Sequence, residues 1–301
     1  MRLVLEEVAV DRERLADYNR VCGFGLGDAV PGTYPQVLAF PLAIALMSER
    51  EFPFPLPGIV HIGNTITQLR PIAPTEGLTF EVHAENLRPH RRGRQFDIVT
   101  NARIDGAPIW HSTATYLHRS PTPADPTPAA ADADSAGADA RGAGMDAADA
   151  RGAGMDAADA RGAGMDAADA RGAGMGAADA REGVEGVPAG VWSVGGETGR
   201  EYARASGDWN PIHLHALSAK LFGFPRAIAH GMWVKARCLA ALQGRLPDAY
   251  TITVQFGKPL LLPSTVDFSA HPRANGWDLT VANNLTGRVE PAPANATPHP
   301  E

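Results

Sequence analysis

The sequence predicts an α+β fold in which an antiparallel sheet wraps around an apolar helix, and it predicts that unit twice in one chain. Three observations carry this. Residues 1–118 and 191–301 echo one another in three blocks that keep the same order. Each copy runs from a short helical pattern through a turn and an apolar helix into several short β-rich runs separated by Pro or Gly. Between the copies lies a stretch whose composition cannot build a core.

The blocks define the duplication. "YNRVCGF" from Tyr18 matches "YARASGD" from Tyr202, and "YPQVLAFPL" from Tyr34 matches "FPRAIAHGM" from Phe224. "TQLRPIAPTEGLTFEVH" from Thr67 is then echoed by "VQFGKPLLLPSTVDFSAH" from Val254. The expected organisation is a first copy at 1–118, a linker at 119–190, a second copy at 191–291 and a flexible tail at 292–301.

In the second copy, Thr198 and Glu201 have capping-box spacing and open a helix that runs toward Ser206. "HALSAKLFGF" is a second helical pattern. "HGMWVKARCLAAL" is a third, with Met232, Trp233, Ala236, Leu239 and Ala240 near a 3.6 spacing, and it is the helix expected to be buried. "AYTITVQF", "STVDFSAH" and "WDLTVANN" follow as strands. The first copy ends in the strand "PIWHSTATYLHR"; the second ends "TGRVEPAPANATPHPE", where Pro291 and Pro293 predict a last strand that is short, absent or at an edge.

The linker contains the unit "ADARGAGMDA" at 138, 148 and 158 and "ADARGAGMGA" at 168. It has no aromatic residue, and Gly-Ala-Gly in each unit weakens any Ala-driven helix. A period of ten fits neither a heptad nor a solenoid repeat, so a spacer is the expectation. Residues 119–190 hold 13 Asp and Glu against 6 Arg, which accounts for the whole formal charge of -7. The rest of the chain is balanced, which argues against a dedicated nucleic-acid surface. The charged N-terminus lacks the pattern of a secretory signal, and no apolar run reaches the ~18 residues a membrane helix needs. Two cysteines, Cys22 and Cys238, are too few for a disulfide framework, so reduced thiols and a cytoplasmic location are expected.

The candidate chemistry lies in "SGDWNPIH", Ser206 to His213. Read alone, the octamer is equally a turn with a capping Asp. Pro211, however, fixes a bend that can bring Asp208 and His213 to one side, and Asn210 can brace it. "IAHGMW" opens the apolar helix with Gly231 in its first turn, where unpaired N–H groups and the helix dipole favour an oxyanion. Carboxylate, imidazole and free N–H together suit the addition of water to a thioester-conjugated double bond. Proton transfer and enolate stabilisation are the two demands of that reaction.

At this point a resemblance becomes specific. "YARASGDWNPIHLHALSAKLFGFPRAIAHGMW" resembles the MaoC-like dehydratases, the (R)-specific or type 2 enoyl-CoA hydratases, with their signature Ser/Thr-Gly-Asp-x-Asn-Pro-hydrophobic-His. The resemblance implies a double hot-dog fold and hydration of trans-2-enoyl thioesters to (R)-3-hydroxyacyl thioesters, or the reverse. Asp208 and His213 would be the catalytic pair, Asn210 their support and Gly231 the oxyanion donor. Lys220, Arg226 and His230 are substrate-binding candidates beside the motif. Coenzyme A would enter only as part of the substrate, with an acyl-carrier-protein thioester as the alternative carrier. No metal, redox cofactor, nucleic acid or membrane is implied, and the chain would be a monomeric pseudo-dimer or a homodimer. A non-catalytic acyl-thioester binding module is the competing class.

The blocks pair Asp208 with Phe24, Asn210 with Leu26, His213 with Ala29 and Gly231 with Pro41. Every chemical group is missing from the first copy, which predicts one active site per chain and an acyl-chain tunnel lined by Phe24 and Leu26. Outside this site, "RPHRRGR" at 88–94 reads as a basic hairpin tip that could meet phosphates. "GFGLGD" at Gly23 follows a helix rather than a strand, against a dinucleotide loop. His61, His83, His111 and His118 lack metal-ligand spacing and read as satisfied surface histidines.

Overall fold

A computed structural model describes residues 1–119 and 188–293. The spacer expected at 119–190 and the tail expected at 292–301 fall almost wholly outside these residues. The element order is β1 (Arg2–Val8), α1 (Arg12–Cys22), α2 (Tyr34–Ser48), β2 (Ile59–Gln68), β3 (Leu78–His90), β4 (Gly93–Ile104) and β5 (Ala107–Arg119). The second half follows as β6 (Ala189–Val194), α3 (Thr198–Ser206), a 3-10 turn (Pro211–His213), α4 (Ala216–Leu221), α5 (Gly231–Ala241), β7 (Tyr250–Phe256), β8 (Ser264–Arg273), β9 (Gly276–Val281) and β10 (Leu285–Pro291).

All ten strands form one sheet in the order β1-β3-β4-β5-β2-β7-β10-β9-β8-β6. The halves join where β2 pairs antiparallel with β7, Asn64 opposite Val254 and Ile66 opposite Ile252. The expected α+β class therefore holds, with the two sheets continuous. Of the described residues, no helix is long and apolar enough to cross a membrane.

The duplication is visible at the helix ends. Gly23 closes α1 with φ +78° and Gly207 closes α3 with φ +82°, the left-handed stop that residues with a Cβ rarely take. Their partners Tyr18 and Tyr202 face each other with ring centroids 6.0 Å apart. Arg14 on α1 donates through Nε to the Ala205 carbonyl near the end of α3 at 2.7 Å. Trp233 on α5 donates through Nε1 to the Val21 carbonyl at 2.8 Å. The end of α1 thus seats against the helix that opens the site.

Four expectations need correction. The capping box does not form: Glu197 precedes α3 without a side-chain cap and instead pairs with Arg200. α4 covers only Ala216–Leu221, because Gly223 turns the chain at φ +83°. The strand β10 is neither short nor at an edge; it pairs with β7 and β9 on its two sides, and Pro291 is tolerated because it is the terminal residue of the strand. Finally, Pro41 does not occupy a helix start: it lies inside α2, whose first turn begins at Tyr34 with Pro35.

Candidate active site

The motif adopts a bend built from its own polar groups. The Asp208 N–H donates to Ser206 Oγ at 3.2 Å, and the Asn210 N–H donates to Asp208 Oδ1 at 3.2 Å. Asn210 Oδ1 then accepts from the Ile212 N–H at 3.3 Å, capping the 3-10 turn that Pro211 opens. The His213 N–H reaches the Asn210 carbonyl at 3.0 Å. Asn210 is thus a brace on an exposed corner, and its neighbours Asp208 and His213 are carried inward.

The segment 225–230 completes the site from the other side. It bends at 225–226 and then runs non-helical to His230, with the Ile228 N–H on the Ile212 carbonyl at 3.1 Å and the Ala229 N–H on the Leu260 carbonyl at 2.8 Å. His213 Nδ1 donates to the Ile228 carbonyl at 2.8 Å, which assigns its proton to Nδ1 and leaves Nε2 with a lone pair. His230 Nε2 donates to the Asp208 carbonyl at 3.0 Å. The imidazoles of His213 and His230 stack with centroids 3.6 Å apart.

Ring nitrogens of His213 and His230 and an Asp208 carboxylate oxygen lie within 4.8 Å of one another. His213 is 8% and His230 2% exposed, while the Asp208 side chain keeps 30% exposure. Burial pushes the Asp208 carboxyl up, against the pull of His213. Burial also pushes His213 down, opposed by Asp208 and the Ile228 carbonyl. His230 is held well below the ordinary imidazole range, first by burial and then by His213. The environment therefore favours a protonated acid beside neutral bases.

Two His and one Asp are also a metal donor set, but their geometry does not fit one. Imidazole lone pairs lie in the ring planes; two near-parallel planes do not converge on one ion. His230 Nε2 is also committed to the Asp208 carbonyl.

Gly231 begins α5, so its first-turn N–H groups lack intrahelical acceptors. A Cβ on Gly231 would fall 2.9 Å from the Phe256 ring. Only glycine lets that ring of β7 close against the helix start. From Phe256 an aromatic wall continues to His61 at 4.9 Å, Tyr116 at 4.6 Å, Phe96 at 5.7 Å and Phe54 at 5.5 Å between successive centroids. Tyr116 is near enough to Asp208 for that carboxylate to add to the upward push of burial on its phenol. A cavity of about 390 Å³, lined by Leu46, Phe52, Phe54, Leu87 and Phe96 among others, lies at the far end of the wall rather than at Asp208.

The other candidates fall elsewhere. Leu26 is fully exposed, and Phe24 stacks on Tyr18 at 6.3 Å against the main core; neither lines the aromatic wall, because the loop after α1 turns outward. Lys220 and Arg226 are exposed, with Arg226 donating to the Pro263 carbonyl at 3.0 Å. His230 is too buried to be a simple substrate contact and acts as the partner of Asp208 and His213. The basic run 88–94 does form a hairpin tip, where Arg88 pairs with Asp97 at 2.9 Å. His61 is not a satisfied surface residue: its Nε2 is buried without a partner, and burial, then Lys235, pushes its pKa down to about 3. Sequence reasoning missed Tyr116, Phe256 and Lys235.

Comparison with known proteins shows the family and the fold. Residues 193–278 match the MaoC like domain. The chain is 34% identical over 285 residues to 3-hydroxyacyl-thioester dehydratase X of Mycobacterium tuberculosis, covering 95% of this chain and 85% of that one. The crystal structure of HtdX from the same organism superposes with a TM-score of 0.71, covering 97% of this chain and 100% of the other at 34% identity. A MaoC-like dehydratase from Phytophthora capsici, at 14% identity, shares the fold with a TM-score of 0.62 over 98% of this chain and 96% of its own.

Proposed function

Because the chain belongs to the MaoC-like dehydratases, with their hot-dog fold, we propose that it interconverts trans-2-enoyl thioesters and (R)-3-hydroxyacyl thioesters through Asp208 and His213. The observation that carries this reading is the meeting of a raised carboxyl and a tautomer-fixed, neutral imidazole at the start of α5.

In the hydration direction, water adds to the β-carbon as His213 Nε2 takes its proton. Asp208, in the acid form that burial favours, gives its proton to the α-carbon. Between these events the thioester oxygen carries enolate charge, which the free N–H at Gly231 stabilises; such a donor contributes about 3–4 kcal/mol. Afterwards His213 is protonated and Asp208 is not, and a proton passing back between the two restores the resting pair. Dehydration is the same path reversed. Asn210 holds the bend, and His230 holds the Asp208 backbone.

The first half supplies the acyl site in this reading. The wall Phe256–His61–Tyr116–Phe96–Phe54 is apolar and aromatic, and it ends in a cavity within the ~300–1,000 Å³ range of ligand pockets. Neither a metal nor a redox cofactor has a role in these steps; coenzyme A enters as the substrate's carrier.

The test offers purified protein a series of trans-2-enoyl-CoA esters and the matching acyl-carrier-protein thioesters, and follows loss of the conjugated double bond. Asp208→Asn and His213→Ala should each lower kcat by at least ~100-fold. Wild-type rates in both variants would defeat the mechanism. A strong preference for one carrier identifies the physiological form.

A further inference from the structure

Lys235 is fully buried on α5, and nothing in the proposed reaction uses it. Its Nζ donates to the Asn64 carbonyl at 3.2 Å, to Asn64 Oδ1 and to the Ile252 carbonyl at 3.2 Å. The amide orientation of Asn64 is set independently, since its Nδ2 donates to Ser112 Oγ at 3.0 Å and the Thr113 carbonyl at 3.3 Å. Three acceptor-only oxygens therefore converge on one nitrogen. An ammonium has three N–H donors for them, and a neutral amine only two. Burial pulls in the opposite direction, lowering Lys235 well below the ordinary lysine range. The partners that hold it are neutral carbonyl and amide oxygens.

The position is specific. Lys235 lies four residues after Gly231, one turn along the same face of α5. Asn64 and Ile252 are on β2 and β7, the strands that join the two halves. Ile252 shares its sheet face with Phe256, the ring that occupies the space beside Gly231. The charge also reaches His61 in the aromatic wall. The first turn of α5, the seam between the halves and the wall of the acyl path are thus tied at one atom.

A buried cation is a costly way to fasten a helix, since apolar residues of similar volume pack as well or better. The first copy has no such ion: the block correspondence puts Ala45, exposed on α2, at the place of Lys235. The ion is carried only by the half that has the motif.

We propose that Lys235 is a positioning residue for the oxyanion corner: its ammonium, anchored on Asn64 and Ile252, sets the first turn of α5 over the seam and so aims the Gly231 N–H at the thioester oxygen. This rests on the thioester reading above.

The experiment uses the full chain and compares Lys235→Met, the double variant Lys235→Met/Asn64→Leu, and Asn64→Ser, with kcat, KM and Tm measured on trans-2-enoyl-CoA. Lys235→Met should lower Tm and should lower kcat at least tenfold at a KM within twofold. The double variant removes the ammonium together with its side-chain acceptor, so Tm should recover part of the Lys235→Met loss while kcat stays at least tenfold down. Asn64→Ser, which leaves the ammonium two acceptors and strips Ser112 and Thr113 of the Nδ2 donor, should lower kcat severalfold and Tm by a few degrees. Recovery of kcat together with Tm in the double variant would make the lysine merely structural and overturn the proposal, as would wild-type kcat in Lys235→Met or Asn64→Ser. A wild-type protein inactive on every thioester would instead defeat the functional reading itself.

Discussion

Gly199, buried in the first turn of α3, should be a sensitive small residue, because the atom it faces belongs to His213. A Cβ built there lies 2.0 Å from the His213 carbonyl oxygen, 3.0 Å from its carbon and 3.3 Å from Leu262 Cδ1. Carbon–oxygen contacts settle near ~3.3 Å, so Gly199→Ala must separate α3 from the 3-10 turn by more than ~1 Å. The obstructing atom is backbone, with no rotamer to yield. Asp208 follows α3 in the chain and His213 ends the 3-10 turn, so the two groups move relative to each other. A ~1 Å misplacement of reacting groups costs about 100-fold in rate, and overpacking costs about 1–3 kcal/mol in stability. At ~2–4 °C per kcal/mol for a protein of this size, Tm should fall by several degrees. The matched control is Gly190→Ala on β6, where nothing lies within 4 Å of the added methyl. Enoyl-thioester hydration and calorimetric Tm on both variants decide the matter. A Gly199→Ala enzyme with kcat within twofold and Tm within a degree of the control would refute the packing argument.

Gly231→Ala should lower kcat at least tenfold, because the new methyl meets the Phe256 ring at 2.9 Å, and Phe256→Leu in the same chain should restore part of the loss. Phe54→Trp fills the far cavity and should depress kcat/KM for dodecenoyl-CoA about tenfold while sparing crotonyl-CoA; Leu26→Ala, on an exposed side chain, should change neither. His61, His213 and His230 all have lowered pKa values in the fold, so the unfolded chain binds protons that the folded one refuses. Their contribution is present above the unfolded value of ~6.5 and is lost as pH falls, up to about 2 kcal/mol at pH 5 for His61. A pH series of denaturant melts should show this slope, and His61→Phe should flatten it. An unchanged slope in that variant would mean that His61 titrates normally.

Much of the site was legible because its signals are local. Asp208, Asn210, Pro211 and His213 fall within six residues, and their bend follows from Pro geometry and short side-chain-to-backbone bonds. The helix start at Gly231 and the matched glycine stops at Gly23 and Gly207 are equally local. What escaped is long-range. That His61 and Tyr116 face the motif depends on the β2–β7 register between segments nearly 190 residues apart, which no block comparison contains. The alignment of Phe24 and Leu26 with Asp208 and Asn210 predicts a tunnel lining, but position in a repeat does not fix which way a loop turns. Pro291 looked like a strand breaker, although a terminal residue has no ladder bond to lose. One missed signal was present: Lys235 lies between Trp233, Val234, Ala236 and Cys238, all buried, whereas the helix's other charge, Arg237, stays partly exposed, and a charge on the buried face asks for polar partners from elsewhere.

On the proposed mechanism, the duplicated unit also explains why the chemistry would sit in one half. In the second copy the aligned segment Phe224–His230 stays non-helical, held by Ile212 and Leu260, and α5 starts only at Gly231, so its open N-terminus meets His213. In the first copy the matching residues Tyr34–Phe40 are already helical. No free helix start remains at the corresponding point, and restoring Asp, Asn and His at 24, 26 and 29 would leave the oxyanion without a donor. The same α2 turns Leu46 and Met47 toward a second apolar cluster with Phe54 and Phe96, and Leu46 lines the cavity. Where the central helix begins therefore separates the halves more sharply than any one side chain: a late start exposes N–H groups for an enolate, and an early start leaves an apolar helix suited to an acyl chain.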